Sequence, residues 1–239
     1  MFSDTNMERQ RWDVRAKRYE DPLMGVFSLT KYPEVIKKIL GRIEAGPVLD
    51  LGCGPTGRML NMLSSQGYVA HGVDLSLKMI RATRRSGFRG KLLCADTRCL
   101  AERMWGGTYN TVVSLNSIVP PERDDAQAML YSAYHVLAPN GLLIAIVMSS
   151  EYHERVLKEF PGAFQMDSAT DRVWDEEGYQ CSFSKRTIIA ELRTAGFSEM
   201  LIEPLIFDRP EMFDDVENLY GIRLPTHLPL EEWFVVARK

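Results

Sequence analysis

The stretch V-L-D-L-G-C-G-P-T-G at residues 48–57 constrains this chain more than any other part of its sequence. A short apolar run there contains a carboxylate, Asp50, and then breaks into three glycines spaced G-x-G-x-x-G. Glycine adopts positive φ and lets a ligand approach the backbone, so this spacing between a strand and a helix is typical of a binding loop. The glycines alone do not identify the ligand, because dinucleotide-binding proteins share them.

Asp50 and Pro55 separate the possible ligands of this loop. A pyrophosphate would be held by backbone N–H groups at the helix N-terminus. Asp50 would place a second negative charge beside it, and Pro55 removes one of the N–H groups. S-adenosylmethionine brings an ammonium and a sulfonium and no phosphate, so the loop favours it over a dinucleotide.

The stretch resembles the first motif of the class I S-adenosylmethionine-dependent methyltransferases. In that family the acid of this motif lies near the methionyl amine, often through water, and the glycines pass beneath the cofactor. The resemblance therefore implies cofactor contacts from Asp50, Gly52, Cys53, Gly54 and Gly57. It also implies S-adenosylmethionine as the methyl donor and S-adenosylhomocysteine as the product.

Two further acids follow at the tips of predicted strands. Asp74, followed by Leu75, can accept both ribose hydroxyls of an adenosine, which is chemistry shared with the dinucleotide fold. The resemblance implies that Asp96 accepts the exocyclic amine of adenine, with the backbone of Thr97 as a second contact. Taken singly, Asp74 is also interpretable as a helix cap and Asp96 as a turn residue. Three acids, each one strand-plus-helix unit apart, favour the ligand site, and Leu75 and Thr97 are predicted to belong to it.

Apolar strands alternate with helices along the chain, which predicts an α/β fold with a Rossmann-like, doubly wound, mostly parallel sheet covered by helices on both faces. The resemblance covers nearly the whole chain and implies seven strands, the last of them antiparallel. We predict a single domain over residues 1–239, with an N-terminal helical cap over residues 1–45. Helices are predicted at 7–20, 33–43, 78–85, 100–103 and 123–137, and strands at 109–116, 142–148, 200–207 and 232–239.

Residues 149–182 and 208–231 are insertions that exceed what the sheet needs. Connections of this length are usually lids or binding loops, so we predict that they form the acceptor pocket. In the first insertion, Tyr152, Trp174 and Tyr179 are candidates to wall an aromatic or apolar acceptor.

Methyl transfer from a sulfonium needs mainly the alignment of donor and acceptor, which supplies roughly 7–11 kcal/mol of the barrier. Tyr19 is one catalytic candidate, because Ala16 and Tyr19 form an A-x-x-Y pattern that resembles the helix lying across the cofactor in similar methyltransferases. The alternative is that Trp12 and Tyr19 are only a packing stripe.

A general base is needed only if the acceptor carries a proton of high pKa. His153 is the histidine we predict for that role, with His135 and His227 as alternatives. A lone histidine is more often structural than catalytic, and no catalytic triad is evident.

Asn116 follows the fourth predicted strand and is predicted to contact the cofactor. Amino-adenine methyltransferases carry an Asn or Asp followed directly by Pro-Pro and an aromatic residue. Here Pro120 and Pro121 come four and five residues after Asn116, and Glu122 replaces the aromatic residue. The departure argues against methylation of nucleic-acid bases.

Bulk properties exclude several other classes. The net charge of −3 creates no field that draws the chain onto nucleic acid, and no apolar run approaches the ~20 residues of a membrane span. The first residues lack the pattern of a signal peptide. Four cysteines fit no zinc spacing, and no group of acids and histidines has metal-ligand spacing, so we predict a metal-free protein of the reducing cytoplasm.

The sequence thus predicts a methyltransferase for a small-molecule acceptor, with no membrane partner and an undetermined oligomeric state. An RNA or protein methyltransferase is the first alternative. Its support is a run of basic residues, for which a solvated helix face is the simpler interpretation because stacking aromatics are missing. These residues are Lys78, Arg81, Arg84, Arg85, Arg89 and Lys91. A non-catalytic cofactor-binding protein and an NAD-linked oxidoreductase remain as further alternatives.

Overall fold

The computed structural model describes residues 4–18, 33–103, 106–175, 178–207 and 227–239. Along these residues the strands are β1 (Val48–Leu51), β2 (Ala70–Asp74), β3 (Lys91–Cys94), β4 (Tyr109–Leu115), β5 (Leu137–Met148), β6 (Gln165–Asp167), β7 (Arg172–Asp175), β8 (Gly178–Cys181), β9 (Met200–Phe207) and β10 (Leu230–Arg238). The helices are α1 (Thr5–Arg18), α2 (Pro33–Leu40), α3 (Arg58–Ser65), α4 (Leu77–Arg85), α5 (Leu100–Arg103), α6 (Arg123–Val136), α7 (Ser150–Glu159) and α8 (Lys185–Ala195).

Seven of these strands form one sheet in the order β3-β2-β1-β4-β5-β10-β9. The first five are parallel to one another, whereas β10 inserts between β5 and β9 and runs antiparallel to both. The predicted Rossmann-like, mostly parallel sheet with an antiparallel last strand is confirmed.

Apolar side chains cover both faces of this sheet, as its buried strands require. Helices α2 and α3 pack against one face, together with Ile144 and Ile146 of β5. Helices α6 and α8 pack against the other face, where Leu143 and Val147 of the same strand point. Alternate residues of β5 therefore serve two cores, and the sheet is doubly wound.

Strand β5 begins five residues earlier than the sequence predicts. The expected turn at residues 138–141 is an irregularity inside the strand, because the pairing with β4 shifts between Tyr109↔Leu137 and Thr111↔Leu142. Asn140 takes a left-handed φ of 63° there, and extra residues accommodated in this way bulge out of a strand without ending it.

The predicted insertion at 149–182 contains α7 and a separate antiparallel sheet of β6, β7 and β8. Arg123, at the start of α6, ties this small sheet to the main one: its guanidinium donates to the carbonyl oxygens of Thr170 (3.0 Å), Asp171 (3.0 Å) and Ser182. Most of the second predicted insertion, residues 208–226, lies outside the described residues, and its end forms the start of β10. Among the described residues, no helix is long and apolar enough to cross a membrane.

Candidate functional site

The three glycines of the loop after β1 are needed for different reasons. All three have positive φ, between 57° and 74°. A Cβ on Gly52 would lie 2.2 Å from the Cβ of Ser117, and one on Gly57 would lie 2.5 Å from Oγ of Ser86, so these two glycines also allow close packing. A Cβ on Gly54 would meet nothing within 4 Å. Gly54 therefore leaves open space next to the backbone, as a ligand requires.

The N–H groups of this loop already have acceptors. Those of Gly52 and Cys53 donate to the carbonyl oxygen of Val73, at 2.8 and 3.0 Å. That of Gly54 donates to Oδ2 of Asp74 at 3.0 Å, and the next residue is a proline. A phosphate would need these donors free, so the geometry supports the inference that the loop is not built for a pyrophosphate.

Asp50 lies buried in β1. Burial, and to a lesser degree the nearby charge of Asp74, raises the pKa of its carboxyl from 3.8 to about 7. No described residue donates a hydrogen bond to it. A buried carboxylate without donors is the environment that an ammonium group stabilises, because an opposite charge favours the ionised form.

Asp74 ends β2 and is held by two backbone donors. The N–H of Ser76 lies 2.9 Å from Oδ1 and that of Gly54 lies 3.0 Å from Oδ2. Burial raises the pKa of this carboxyl to about 6, against the opposing effect of the two hydrogen bonds. Each carboxylate oxygen has two acceptor positions, so the donors among the described residues leave one position on each oxygen for a ligand. That pair suits the two hydroxyls of a ribose.

Asp96 differs from Asp74, although it follows β3 in the same way. Oδ1 accepts from the backbone N–H (3.0 Å) and Nε (2.9 Å) of Arg98, and Oδ2 accepts from Nη2 of Arg98 (2.7 Å) and from Oγ1 of Thr5 (2.9 Å). Burial alone would raise the pKa of Asp96, but these bonds and the guanidinium charge outweigh it, and the pKa is lowered. Its four acceptor positions are therefore taken by the protein.

Arg98 is the centre of this network. Its Nη1 also donates to Asp125 of α6 at 2.9 Å, and Asp125 is fully buried. Thr5 belongs to α1, so the network joins the N-terminal helix, the tip of β3 and the start of α6. Nothing in the sequence analysis singled out Arg98; a basic residue two positions after a strand-tip acid is the signal that was available.

These residues line one open cleft at the carboxyl edge of the sheet. Helix α1 contributes Glu8 and Trp12 to its wall. Helix α1 is fixed there by Asp13, which accepts from the hydroxyl of Ser76, the N-cap of α4. The cleft brings together nine of the ten predicted cofactor contacts: Asp50, Gly52, Cys53, Gly54, Asp74, Leu75, Asp96, Thr97 and Asn116. Gly57 does not line it.

Asn116 has a left-handed φ of 50° directly after β4. Its side-chain Nδ2 donates to Oε1 of Glu232, on β10, at 3.1 Å. Burial raises the pKa of the Glu232 carboxyl from 4.5 to about 7, against the lowering effect of this hydrogen bond. Glu232 was missed by the sequence analysis, where it appeared only as the start of the last strand.

His153, one of the two predicted catalytic residues, does not line the cleft. Tyr19 lies outside the described residues. His153 is on α7, where burial lowers its pKa to about 4 and Nδ1 has no hydrogen-bond partner in the described part of the chain. Its ring packs edge-on against Phe164 at 5.2 Å. Both remain predictions.

The two alternative histidines, His135 and His227, do not line the cleft either. His135 lies in the last turn of α6, the end of the helix that leads back to the amino edge of the sheet. His227 is exposed and pairs with Glu159 at 2.8 Å.

The predicted acceptor-wall residues Tyr152, Trp174 and Tyr179 also lie outside the cleft lining, and Trp174 and Tyr179 stack edge-on at 5.0 Å.

The sequence predicts no metal site, and it makes an RNA-binding surface the less favoured alternative. Within the described residues, no three His, Cys, Asp or Glu side chains are grouped closely enough to hold a metal ion. The six basic residues between Lys78 and Lys91 are all exposed. Their exposure accords with a solvated helix face, and RNA binding stays untested.

Comparisons with known proteins agree with this geometry. Residues 48–141 match the family model described as a methyltransferase domain. No curated protein sequence matches the chain significantly.

Solved structures with the same fold include three methyltransferases. An S-adenosylmethionine-dependent methyltransferase from Methanosarcina mazei has a TM-score of 0.60 at 16% identity and covers 87% of this chain and 97% of that chain. The 1,6-didemethyltoxoflavin-N1-methyltransferase of Burkholderia thailandensis, with 1,6-didemethyltoxoflavin and S-adenosylhomocysteine bound, has a TM-score of 0.62 at 16% identity and covers 98% and 88%. Magnesium protoporphyrin IX methyltransferase from Synechocystis, with S-adenosylhomocysteine bound, has a TM-score of 0.59 at 18% identity and covers 99% and 100%. At these identities the matches show the fold.

Residues 48–141 thus resemble a methyltransferase domain, and the described residues have the same fold as the solved structures of S-adenosylmethionine-dependent methyltransferases. The resemblance predicted from the strand-tip motifs is confirmed.

Proposed function

We propose that this protein transfers a methyl group from S-adenosylmethionine to a small-molecule acceptor. The observation that carries the proposal is the pair of buried carboxylates, Asp50 and Asp74, on the wall of one cleft with acceptor positions left open. Asp50 offers a charge to the methionyl ammonium, and Asp74 offers two acceptors to the ribose. The open space beside Gly54 lets the ligand approach the backbone.

The cofactor supplies the reaction with a methyl group on a sulfonium, which already has a good leaving group. The protein then has mainly to hold the acceptor in line with the methyl carbon and the sulfur, and alignment of this kind is worth roughly 7–11 kcal/mol. Trp12 and Glu8 of α1 form part of the wall of the cleft. Asn116 and Pro120 line the cleft beyond β4, the side on which we place the acceptor.

Two observations support a small acceptor. The neighbours from Burkholderia thailandensis and Synechocystis are named for low-molecular-weight compounds, 1,6-didemethyltoxoflavin and magnesium protoporphyrin IX. Helix α1 also bonds to the tip of β3 through Thr5 and to the start of α4 through Asp13, so it occupies surface that a macromolecular acceptor would otherwise reach. The four cysteines are free thiols, which supports the proposal of a reducing, cytoplasmic location.

Isothermal titration calorimetry tests the proposal directly. We expect S-adenosylmethionine and S-adenosylhomocysteine to bind and NAD not to bind, because the loop N–H groups that a pyrophosphate needs are occupied. Absence of binding of either methionine-derived ligand at millimolar concentration would reject the proposal, and stronger binding of NAD would favour the oxidoreductase. Binding without methyl transfer to any compound of a broad acceptor panel would favour a non-catalytic cofactor-binding protein.

A further inference from the structure

We infer that Glu232 and Asn116 form a subsite for the nucleophilic group of the acceptor, which binds an amine or a hydroxyl by its N–H or O–H and delivers its proton to Glu232. This inference rests on the proposed function and specifies the chemical class of its acceptor. It starts from hydrogen-bonding capacity that the described residues leave unused.

Three polar atoms, on the residue after β4, on α7 and on β10, are buried without a hydrogen-bond partner in the described residues. They are Oδ1 of Asn116, Oε2 of Glu232 and the hydroxyl of Tyr152. Glu232 is 5% exposed and Tyr152 is 3% exposed. The negative charge of Glu232 acts together with burial to raise the pKa of Tyr152, which places the phenol within electrostatic reach of the carboxylate.

Buried polar atoms are rarely left unpaired, because each costs roughly 1–3 kcal/mol. Unpaired buried atoms in a native site therefore need an explanation. A bound ligand that forms hydrogen bonds to them is one such explanation. Two of the three atoms accept hydrogen bonds and cannot donate them while Glu232 is ionised. The missing partner must accordingly be a donor.

The orientation of the Asn116 amide is not arbitrary. Its Nδ2 faces Oε1 of Glu232 at 3.1 Å, and the reversed amide would set an oxygen against a carboxylate. Oδ1 is thereby directed away from Glu232. Since Asn116 also lines the cofactor cleft, Glu232 lies one hydrogen bond away from the residues of that cleft.

The position of Glu232 in the sheet matches the place where an acceptor must lie. Glu232 pairs with Met148 in the last register of β5, at the carboxyl edge that also carries Asp50 and Asp74. Ligands of open α/β sheets bind outside this edge. Along it, Asp74 and Asp50 precede β4, and Glu232 follows it, so Asn116 stands between the cofactor half and Glu232.

The step balances in atoms and charge. The nucleophilic nitrogen or oxygen of the acceptor forms a bond to the methyl carbon, and the carbon–sulfur bond breaks with its electron pair left on sulfur. The proton of the N–H or O–H passes to Oε2 of Glu232, which later releases it to solvent. Burial that raises the pKa of Glu232 to about 7 makes it a stronger base than an exposed carboxylate.

The test uses probes that differ only in the donor. Phenol is compared with anisole, and aniline with N,N-dimethylaniline, by ligand-observed NMR on protein saturated with S-adenosylhomocysteine. We expect the donor of each pair to bind the wild type about tenfold or more tightly than its methylated partner, the factor typical of hydrogen bonds to a charged group. Glu232→Gln should reduce the preference to about threefold, and Glu232→Leu should abolish it.

Glu203→Gln is the matched control, because Glu203 lies on the neighbouring strand β9 and pairs with Lys38 outside the site. It should keep the wild-type preference. Equal affinities within both pairs, no binding of either donor at its solubility limit, or an unchanged preference in both Glu232 variants would overturn the inference. The same samples are first titrated with S-adenosylhomocysteine alone: loss of that binding in the wild type rejects the proposed function, whereas intact binding without donor preference rejects only the subsite.

A pH series separates this role from a purely structural one. Among the described residues, Tyr152 of α7 is the titratable group that interacts electrostatically with Glu232, and Arg155 and Glu231 act on the same phenol. The donor preference of the wild type should fall as the pH drops through about 7, where Glu232 becomes protonated, while Glu232→Gln should show no such change. A preference that is flat with pH in the wild type would contradict proton acceptance by Glu232.

Discussion

The tips of β2 and β3 carry the same kind of residue in the same local context, yet they are built for different purposes. Asp74 accepts two backbone N–H groups and keeps one acceptor position on each oxygen. Asp96 accepts from Arg98 and Thr5 on every position it has. An acid at a strand tip is thus available to a ligand only if the protein itself leaves its lone pairs open.

The difference has consequences for how the cleft recognises adenosine. Asp74 can hold a ribose without any rearrangement. Asp96 can accept the adenine amine only if a bond from Thr5 or Arg98 is given up, so its predicted contact remains a prediction. The β3 tip, as the structure shows it, stabilises the fold by joining α1 to α6.

The largest effect should come from removing the guanidinium of Arg98 at the tip of β3. Arg98→Met leaves the carboxylates of Asp96 and Asp125 buried without their cation, and breaking a buried pair in this way costs about 3–5 kcal/mol. We expect that loss in the free energy of unfolding, measured by urea denaturation. Arg81→Met, at an exposed position of α4, should change it by less than about 0.5 kcal/mol. Equal effects of the two changes would show that the network is not structural.

The next largest effect should separate the two acids by ligand affinity. Asp74→Ala removes both acceptors for the ribose, and we expect the affinity for S-adenosylhomocysteine to fall about 100-fold in calorimetry. Asp96→Asn should lower it less than about fivefold, because the acceptor positions of Asp96 are already used by the protein. The reverse ranking would mean that Asp96 exchanges its internal partners for the adenine amine.

Asp50 extends the comparison to the tip of β1, where no donor among the described residues compensates burial. Its pKa is raised from 3.8 to about 7 in the folded chain, so its contribution to stability is complete below about pH 4 and is lost as the pH rises through 7. Asp50→Asn should therefore stabilise the ligand-free protein by up to about 4 kcal/mol near pH 8, with the gain fading toward pH 4. Thermal unfolding at several pH values measures this. The same variant should bind S-adenosylhomocysteine more weakly, and a stability gain independent of pH would contradict the assignment.

The smallest effect should come from Thr5, the one donor to Asp96 that belongs to α1. Thr5→Val removes its hydroxyl and should cost about 1 kcal/mol in the free energy of unfolding. It also opens one acceptor position on Asp96. A higher affinity for S-adenosylhomocysteine in this variant would show that a single substitution makes Asp96 available to a ligand, as Asp74 is.

Local sequence patterns predicted much of the fold correctly. The boundaries of β9 and α5 agree with the predicted ones. The start of β5 was wrong, because Pro139 and Asn140 look like a turn in sequence but bulge within a paired strand. Nine of the ten predicted cofactor contacts share one cleft.

The role of Glu232 could not be predicted from such local patterns. In sequence it is one of two adjacent acids at the start of a strand, with nothing to separate it from Glu231. In the structure Glu231 forms an ion pair with Arg155 at 2.8 Å, whereas Glu232 is buried against Asn116. Strand alternation sends neighbouring side chains to opposite sides, but only the packed sheet decides which side is closed to water.

The sequence by itself determined which strand tips carry carboxylates, because alternating strands and helices bring every parallel strand's carboxyl end to one edge. Tertiary structure alone decided which of those carboxylates is open. Asp96 is closed by Thr5, 91 residues earlier in the chain, and Asn116 is oriented by Glu232, 116 residues later. Hydrogen bonds need atoms about 3 Å apart, and contacts over such separations exist only once the chain has folded.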